Sequence, residues 1–566
     1  MSYSTHLEDM VGEMGGCGRF QWVTAIVVQA SKTLAAWSML HMTFNGQAPN
    51  FRCSPDPSNF SSNGSDRVFD NVCTLANSTT TCPSFAFEDD MHTIVNEWDL
   101  NCDSAWIVAM ITTIQMSGVL VGSFISGHLG DMIGRKPTFF LSLLLLVVVN
   151  VVAYFSVNWQ MYAAVRFALG LGMGFYLTLQ VNVMTEMVPI VWRARAVAFP
   201  AWAFEASIFA LVAWLFKDWK NIHLATAVIG APFLLTYFIT EESVRFYMTK
   251  GRYKEADRVI GQISKMNGRP KPDTEKMFAQ ARLQVQDSHA PKAGYSVLDL
   301  FKEWERAKIT LVLFFTWMTI SYSYYGLTFG VSSLSGDLYV NMFLMNIIET
   351  PASFSLMYIV NRYGRKPVVI LMFACTAACG FVVGIIQYVD TPHRGVITNV
   401  FALACKMGIA VGWGGLMVYT TELYPTVVRS ISYGLCNTAA RVGGMVAPQV
   451  VFLNDTVPGL MYFLSGGLLT ASSLMLLSFP DTNGKALMDT FKTADVTLEN
   501  QGGTVIVATP DGKGVIVPGM GVVGVKHEGF DNGTAGAPSP DDEREEPADT
   551  RNIDDNKQDN FDVMRM

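Results

Sequence analysis

The amino-acid sequence predicts an all-α membrane protein with twelve transmembrane helices arranged as two six-helix halves. Half of its 566 residues are hydrophobic and 16% are charged, whereas about a quarter of the residues in a soluble domain are charged. The hydrophobic residues are concentrated in runs: Trp106–Gly127 and Pro367–Val389 contain no acidic or basic residue. Each run exceeds the ~20 residues that a helix needs to cross a bilayer. Motifs that recur in the same order indicate the two halves.

Twelve hydrophobic segments follow one another along the chain at the spacing of membrane spans. The predicted spans are 20–41, 106–127, 137–157, 160–182, 196–215, 222–239, 309–331, 338–360, 367–388, 397–419, 430–452 and 458–479. The resulting divisions are an N-terminal segment 1–19, an N-terminal half 20–239, a connector 240–308, a C-terminal half 309–480 and a mostly disordered tail 481–566. An even number of spans places both termini on one side, and the basic loops 134–136, 193–195 and 362–366 predict that this side is cytoplasmic.

Two motifs with charged residues recur in the second half of the chain at a nearly constant offset in residue number. Gly134-Arg135-Lys136-Pro137 recurs as Gly364-Arg365-Lys366-Pro367, and Thr185-Glu186…Arg193 recurs as Thr421-Glu422…Arg429. A third pattern begins at Arg166 and recurs at Lys406 with two following glycines. Such an ordered repeat is typical of carriers built from two parallel halves with a substrate site between them.

A long hydrophilic loop, 42–105, follows the first span. It contains four cysteines, Cys53, Cys73, Cys82 and Cys102. They predict two disulfides, and the sequence does not determine which cysteines pair. The loop also contains three glycosylation sequons, at Asn59, Asn63 and Asn77. Disulfides and sequons both belong to an oxidising, extracytoplasmic compartment. The loop is therefore predicted to lie outside the cell.

The repeated charged motifs lie at the predicted cytoplasmic ends of the spans. They predict a conformational latch formed by Asp131, Arg135, Glu186, Arg193, Arg365, Glu422 and Arg429. Charge-assisted bonds among these residues have to break when the inner gate opens. The second copy has Asn361 in place of an aspartate, so we expect its latch to be weaker. The alternative is that the arginines and lysines are ordinary positive-inside anchors.

Six ionisable residues fall inside predicted spans: Lys32, Arg166, Glu205, Glu349, Lys406 and Arg441. Such residues are costly in lipid and face partners or a water-filled cavity. Their depth along the spans favours Glu349, Arg441 and Lys32 as substrate-binding residues at mid-membrane. Burial as ion pairs between helices is the alternative, and Arg166 and Lys406 are candidates for a structural role.

The predicted seventh span is rich in aromatic residues, with Trp317, Tyr322, Tyr324 and Tyr325. Aromatic faces bind organic cations through cation–π contacts, which makes Trp317, Tyr324 and Tyr325 candidates for substrate binding. Tyrosines at the membrane–water interface are the equal alternative.

The combination of motifs resembles solute carrier family 22, the organic cation, carnitine and organic anion transporters. The resemblance rests on the cysteine-rich outer loop, the Gly-Arg-Lys-Pro motifs, Glu242-Ser243-x-Arg245, Tyr324-Tyr325-Gly326-Leu327 and Thr421-Glu422-Leu423-Tyr424-Pro425-Thr426-x-x-Arg429. It covers about Gly18 to Gly484 and implies the major facilitator fold with transport by alternating access. The chain departs from the family pattern at Glu241–Phe246 and in having four loop cysteines where six are common.

Two positions bear on the charge of the substrate. Cation carriers of the family have an aspartate where this chain has Arg441, whereas Glu349 resembles cation and carnitine carriers; Ser353 stands where anion carriers often have lysine. The resemblance therefore implies an organic cation or a carnitine- or betaine-like zwitterion. The alternatives are an organic anion transporter, a sugar-type carrier, or a non-transporting sensor on the same scaffold.

The remaining expectations concern partners and location. We expect a multi-pass protein of the plasma membrane that binds a small organic ion and lipid, with Na⁺ or H⁺ as a coupling ion. No enzyme activity, cofactor, metal or nucleic acid is expected, since no catalytic, metal-ligand or nucleotide-binding motif is visible. The last residues, Met564-Arg565-Met566, weakly fit a PDZ-type ligand.

Overall fold

The computed structural model describes residues 9–54, 71–74, 82, 84–189, 192–193, 199–279, 282, 296–389, 391–425, 428–482, 505–508 and 514–517. The chain divides into two units, 1–491 and 492–566. In the second unit, strand β3 (Val505–Ala508) pairs antiparallel with strand β4 (Gly514–Val517). The prediction of a mostly disordered tail did not include this hairpin, whose Val/Ile-rich strands are joined by Thr-Pro-Asp-Gly-Lys, a composition that favours turns.

The first six predicted spans are helical. Span 1 is Arg19–Ala30 and Lys32–Asn45, span 2 Trp106–Ile133, span 3 Arg135–Tyr154, span 4 Trp159–Met187, span 5 Ala201–Phe216, and span 6 Trp219–Gly230 with Pro232–Leu235 and the 3₁₀ turn Thr236–Phe238. Side-chain caps begin two of them, because Asn158 accepts from the Met161 N–H at 2.8 Å and Asp218 accepts from the Lys220 N–H at 3.2 Å. Such caps satisfy amide groups that a helix start leaves without partners.

The second six spans are helical as well. Span 7 is Trp304–Phe329, span 8 Leu338–Ile347 and Glu349–Tyr363, span 9 Arg365–Ile386, span 10 Arg394–Leu423, span 11 Arg429–Thr456, and span 12 Leu460–Leu477. Among the described residues, eight helices are long and apolar enough to cross a membrane, namely those of spans 1, 2, 3, 4, 6, 9, 10 and 12. Spans 5, 7, 8 and 11 are not in that set, and span 8 consists of two helices of 10 and 15 residues.

The ends of the spans differ from the prediction by a few residues. Span 2 continues past the predicted end to Ile133, and span 10 continues to Leu423. Spans 1 and 8 are each interrupted by a single residue, Ser31 and Ile348. The interruptions stand immediately before Lys32 and Glu349, two of the predicted binding residues. Both residues keep right-handed helical dihedral angles, so the two spans continue through them.

Glycines allow spans 2 and 4 to cross with their backbones in contact. A Cβ on Gly122 would lie 2.9 Å from the Leu171 Cα, and one on Gly174 would lie 2.7 Å from the Ser123 N. Real side chains do not approach so closely, so these positions require glycine. Close crossings between small residues are the usual way in which membrane helices pack.

The two halves meet near the loop that follows span 1. Gln449 of span 11 donates to Thr113 of span 2 at 2.9 Å, and Thr113 donates to the Met445 carbonyl at 3.1 Å. Phe44 of span 1 stacks on Tyr339 of span 8 with ring centroids 5.3 Å apart. These contacts join the halves at the end of the bundle that carries the loop cysteines, which we call the disulfide face.

Two disulfides organise the disulfide face. They join Cys53 to Cys82 and Cys73 to Cys102, which confirms two bridges and gives the pairing that the sequence left open. Strand β1 (Phe51–Ser54) pairs antiparallel with strand β2 (Ser84–Phe87), and the short helix Ile94–Glu97 follows. The sequons at Asn59, Asn63 and Asn77 lie outside the described residues.

The connector lies at the opposite end of the bundle, which we call the connector face. Its described part forms the helices Val244–Thr249 and Tyr253–Met266 and the 3₁₀ turn Val297–Leu300. Asn267 fixes it to the start of span 1, since its side chain accepts from the Phe20 N–H at 2.9 Å and donates to the Met14 carbonyl at 2.8 Å.

Candidate functional site

The first charged cluster lies on the connector face of the N-terminal half. Arg135 at the start of span 3 donates to Asp131 of span 2 at 2.6 Å and to Glu186 of span 4 at 3.2 Å. The backbone N–H groups of Arg135 and Lys136 donate to the Glu242 carboxylate at 3.0 and 3.2 Å. Glu242 therefore caps span 3, and Arg135 ties three spans together.

The C-terminal half repeats this cluster with other residues. Arg365 at the start of span 9 pairs with Glu422 of span 10 at 3.1 Å. Asp481 accepts from the Lys366 N–H at 3.2 Å and takes the place of Glu242, while Thr482 donates to Glu422 at 2.6 Å. The role of Glu242 and Asp481 as caps was not predicted, although Glu242 lies in the Glu242-Ser243-x-Arg245 motif that the sequence analysis names.

The glycine of each Gly-Arg-Lys-Pro motif is required by its cap. Gly134 has φ 120° and Gly364 has φ 94°, values that side chains rarely adopt. A Cβ on Gly364 would lie 2.5 Å from Asp481 Oδ2, and a Cβ on Gly134 would collide with the Glu242 carboxylate. Burial raises the pKa of Glu242, and the backbone N–H groups that donate to its carboxylate oppose that rise.

The predicted latch residues thus connect spans of the same half. Arg193 donates to the Val188 carbonyl at 3.0 Å and Arg429 donates to the Tyr424 carbonyl at 3.3 Å, so both also bind the ends of spans 4 and 10. The pairs hold the connector-face ends of neighbouring helices together. As a latch they would stiffen each half, and this role remains a prediction.

The second charged cluster is inside the C-terminal half, where Glu349 and Lys406 form an ion pair at 3.0 Å. Tyr324 donates to the other Glu349 oxygen at 3.4 Å, and Thr328 lies 2.7 Å from Lys406 Nζ. The Lys406 ammonium also stands over the Tyr324 ring, 3.4 Å from its centroid. Glu349 therefore has a cationic partner from span 10. The depth of Glu349 along its predicted span did not indicate this partner.

Arg441 of span 11 and Glu349 both lie near Tyr325, and Arg441 has no acidic partner among the described residues. It donates to the Tyr325 hydroxyl and lies close to Tyr433. Its Nε is buried and has no hydrogen-bond partner within the part of the chain that the structure describes. A guanidinium with a free donor next to a compensated ion pair can bind an anionic group.

Aromatic rings connect the charged residues. Tyr324 packs on Tyr325 and on Trp413, and Trp413 packs on Trp317, with centroid separations of 5.3, 5.7 and 6.1 Å. Trp317 is buried and donates to Thr420 at 2.9 Å. The three predicted aromatic residues are thus brought together next to Glu349. Trp413 was not predicted, since it lies in a glycine-rich stretch of span 10.

The N-terminal half contains a third charged group, Lys32 and Glu205. The Lys32 ammonium donates to the Gln29 side chain at 2.7 Å, and Lys32 and Thr33 lie beside the Glu205 carboxylate. Both side chains are buried. Lys32 is therefore placed opposite a carboxylate on span 5 and does not contact Glu349 or Arg441.

Arg166 lies in a separate buried network. It donates to the Ser38 carbonyl at 3.1 Å and to Gln115, and His41 and His223 pack beside it with centroids 4.1 Å apart. This network joins spans 1, 2, 4 and 6 within one half. It supports the structural role that was the alternative for Arg166.

A cavity of about 390 Å³ opens on the disulfide face, above the charged clusters. Spans 1, 2, 7 and 11 line it together with the loop, and Thr43, Asn101 and Asp455 supply polar groups. The lining does not include Glu349, Lys406 or Arg441. The cavity and these three ionic residues are therefore separate in this structure.

Two bundles of six spans that enclose buried ionic and aromatic groups define a membrane transporter of the major facilitator class. The chain belongs to the sugar (and other) transporter family, whose model matches residues 64–491.

Curated relatives and solved structures agree with this assignment. The chain is 32% identical to organic cation/carnitine transporter 2 of Rattus norvegicus over 71% of each chain, and 31% identical to that of Homo sapiens over 71% of this chain and 72% of the relative. It is 29% identical to the organic cation transporter protein of Drosophila melanogaster, over 74% of this chain and 77% of the relative. The inward open xylose transporter XylE from E. coli shares the fold, with TM-score 0.60 and 16% identity over 82% of this chain and 98% of that one.

Proposed function

We propose that the chain carries a small zwitterion with a quaternary or protonated amine and a carboxylate, of the carnitine or betaine kind, by alternating access. The observation that carries the proposal is that Glu349 is already paired with Lys406, whereas Arg441 has no acidic partner among the described residues. Arg441 therefore attracts a carboxylate. The names of the relatives, organic cation/carnitine transporters, support the same substrate class.

The balance of charge supports a zwitterion over a simple cation. The ionic groups inside the spans are four cations, the buried Lys32, Arg166 and Lys406 and the half-buried Arg441, and two buried carboxylates, Glu205 and Glu349. A lone organic cation would add to the positive surplus, and like charges repel strongly in a weakly polar interior. An organic anion is the second candidate, because the same surplus attracts a carboxylate that has no ammonium.

Uptake of labelled carnitine, a quaternary amine and an aromatic carboxylate into transfected cells tests the proposal. The wild type should prefer carnitine, and Arg441→Asp should lose carnitine and gain the quaternary amine, because the charge next to Tyr325 is reversed. Surface expression is the control. Unchanged selectivity at normal surface expression would remove Arg441 from the site, and preference for the aromatic carboxylate would establish the anion carrier instead.

We further propose a plasma-membrane location with the disulfide face outside and both termini cytoplasmic. The two disulfides support this orientation because such bonds persist in oxidising surroundings. Glycosidase treatment of intact cells should shift the protein's mobility, and Gln at Asn59, Asn63 and Asn77 together should abolish that shift. The same uptake assay with imposed Na⁺ or H⁺ gradients identifies the coupling ion.

A further inference from the structure

Glu205 of span 5 has an oxygen that no group within the described ranges satisfies. The residue is 7% exposed, and its Oε2 is buried without a hydrogen-bond partner in that part of the chain. Lys32 lies nearby, but its ammonium donates to Gln29. A buried carboxylate oxygen without a donor is unfavourable. The arrangement therefore leaves an acceptor ready for a cationic group.

The face of span 5 that carries Glu205 is directed at the C-terminal half. Trp202, on the preceding turn and so on the same helix face, hydrogen-bonds with the Tyr324 hydroxyl of span 7. Tyr324 in turn donates to Glu349 at 3.4 Å and lies beneath the Lys406 ammonium. Glu205 is thus one helical turn from a contact that joins the two halves at the charged cluster.

The internal repeat relates Glu205 to Arg441. The motif Thr185-Glu186…Arg193 precedes span 5, and its copy Thr421-Glu422…Arg429 precedes span 11. The two copies begin at Thr185 and Thr421. Counted from these residues, Glu205 and Arg441 lie the same number of residues further along the chain. The two residues therefore occupy equivalent positions in the two halves, with opposite charges and each with an unsatisfied buried atom among the described residues.

We infer that Glu205 binds the ammonium end of the substrate while Arg441 binds its carboxylate, so that equivalent positions of the two halves hold the two ends of a zwitterion. This inference rests on the proposed function and adds a binding residue in the N-terminal half. Lys32 compensates the Glu205 charge while the site is empty. A substrate that bridges the two halves is held differently as they rock, which couples binding to the conformational change.

Uptake kinetics of Glu205→Gln test the inference, with labelled carnitine and an aromatic carboxylate as the two substrates. The amide keeps the shape of the side chain and removes its charge. We expect the KM for carnitine to rise about tenfold or more, the effect of losing a charge-assisted hydrogen bond, while the KM for the aromatic carboxylate stays the same or falls. Glu205→Asp should restore part of the carnitine affinity, and Glu255→Gln, on an exposed connector residue, should leave both KM values unchanged.

The ratio of the two KM values separates binding from a structural role, because a loss of folded protein lowers both uptake rates and leaves the ratio unchanged. If Glu205→Gln does not reach the surface, Lys32→Met/Glu205→Gln removes both charges together and should show the same altered ratio. Wild-type uptake with an unchanged ratio in these variants overturns the inference alone. Absence of wild-type uptake of carnitine, the quaternary amine and the aromatic carboxylate overturns the proposed function and the inference with it.

Discussion

Replacement of Gly134 by alanine should destabilise the protein far more than the same change at a glycine in open surroundings. Gly134 has φ 120° and ψ 161°, a region that is almost exclusive to glycine and costs other residues about 1–3 kcal/mol. The added Cβ would also displace the Glu242 carboxylate from the N–H groups of Arg135 and Lys136. Loss of one hydrogen bond to a charged group costs about 1.5–3 kcal/mol. The expected loss is therefore about 2.5–6 kcal/mol.

Thermal unfolding of the purified protein in detergent, followed by intrinsic fluorescence, measures this loss. Gly251→Ala is the matched control, because Gly251 has φ 69° but an added Cβ would meet nothing within 4 Å. It should lose only the left-handed strain, about 1–2 kcal/mol. The double variant Gly134→Ala/Glu242→Ala should lose less than the sum of the single changes, since the collision is gone. Equal midpoints for Gly134→Ala and Gly251→Ala would refute the reasoning.

Two further predictions concern the interior pair and the disulfide face. Lys406→Met and Glu349→Gln should each lower the free energy of unfolding by about 3–5 kcal/mol, because each leaves one buried charge unpaired. The double variant should recover part of this loss. Additive shifts of the unfolding midpoint would contradict the pairing. Replacing Cys73 and Cys102 by serine should lower the unfolding free energy by about 2–4 kcal/mol. The control Cys375→Ser changes an exposed free thiol and should have little effect on the unfolding midpoint. Equal midpoints for this control and for the Cys73/Cys102 double replacement would exclude a stabilising bridge.

Hydropathy and the internal repeat could predict most of the fold from the sequence. Runs such as 106–127 and 367–389 must be helices in lipid, since their backbone groups have no other partners there. The repeat also predicts the common architecture of the halves. The helix interruptions at Ser31 and Ile348 could not be predicted, because neither position carries the glycine or proline that usually marks a break.

The partners of the charged residues were harder to predict than their depth. Glu349 and Lys406 lie on different spans, far apart in the sequence. Counting along a span gives the height of a side chain in the membrane but not the direction in which it points. The caps by Glu242 and Asp481 show the same limit, since they bind amides that are distant in the sequence. They recur at nearly the offset of the other repeated motifs, each beside a hydroxyl residue, and the repeat analysis could have found this signal.

Substrate preference depends on the balance of all the ionic groups inside the membrane more than on any single one of them. Each charge at mid-membrane is expensive unless it is compensated, and this chain places one lysine near one carboxylate in each half. Arg166 is held by the uncharged Ser38 carbonyl and Gln115 in the N-terminal half. Arg441 is the cation that has no carboxylate among the described residues of the C-terminal half, so a bound carboxylate lowers the cost of the empty carrier. A bound zwitterion compensates Arg441 and brings an ammonium that competes with a lysine for a carboxylate, and it leaves the net charge unchanged. A bare cation leaves Arg441 uncompensated and adds a second charge to the interior. Discrimination between the two therefore follows from the electrostatic cost of the loaded state, even where the contacts with the ammonium group are the same.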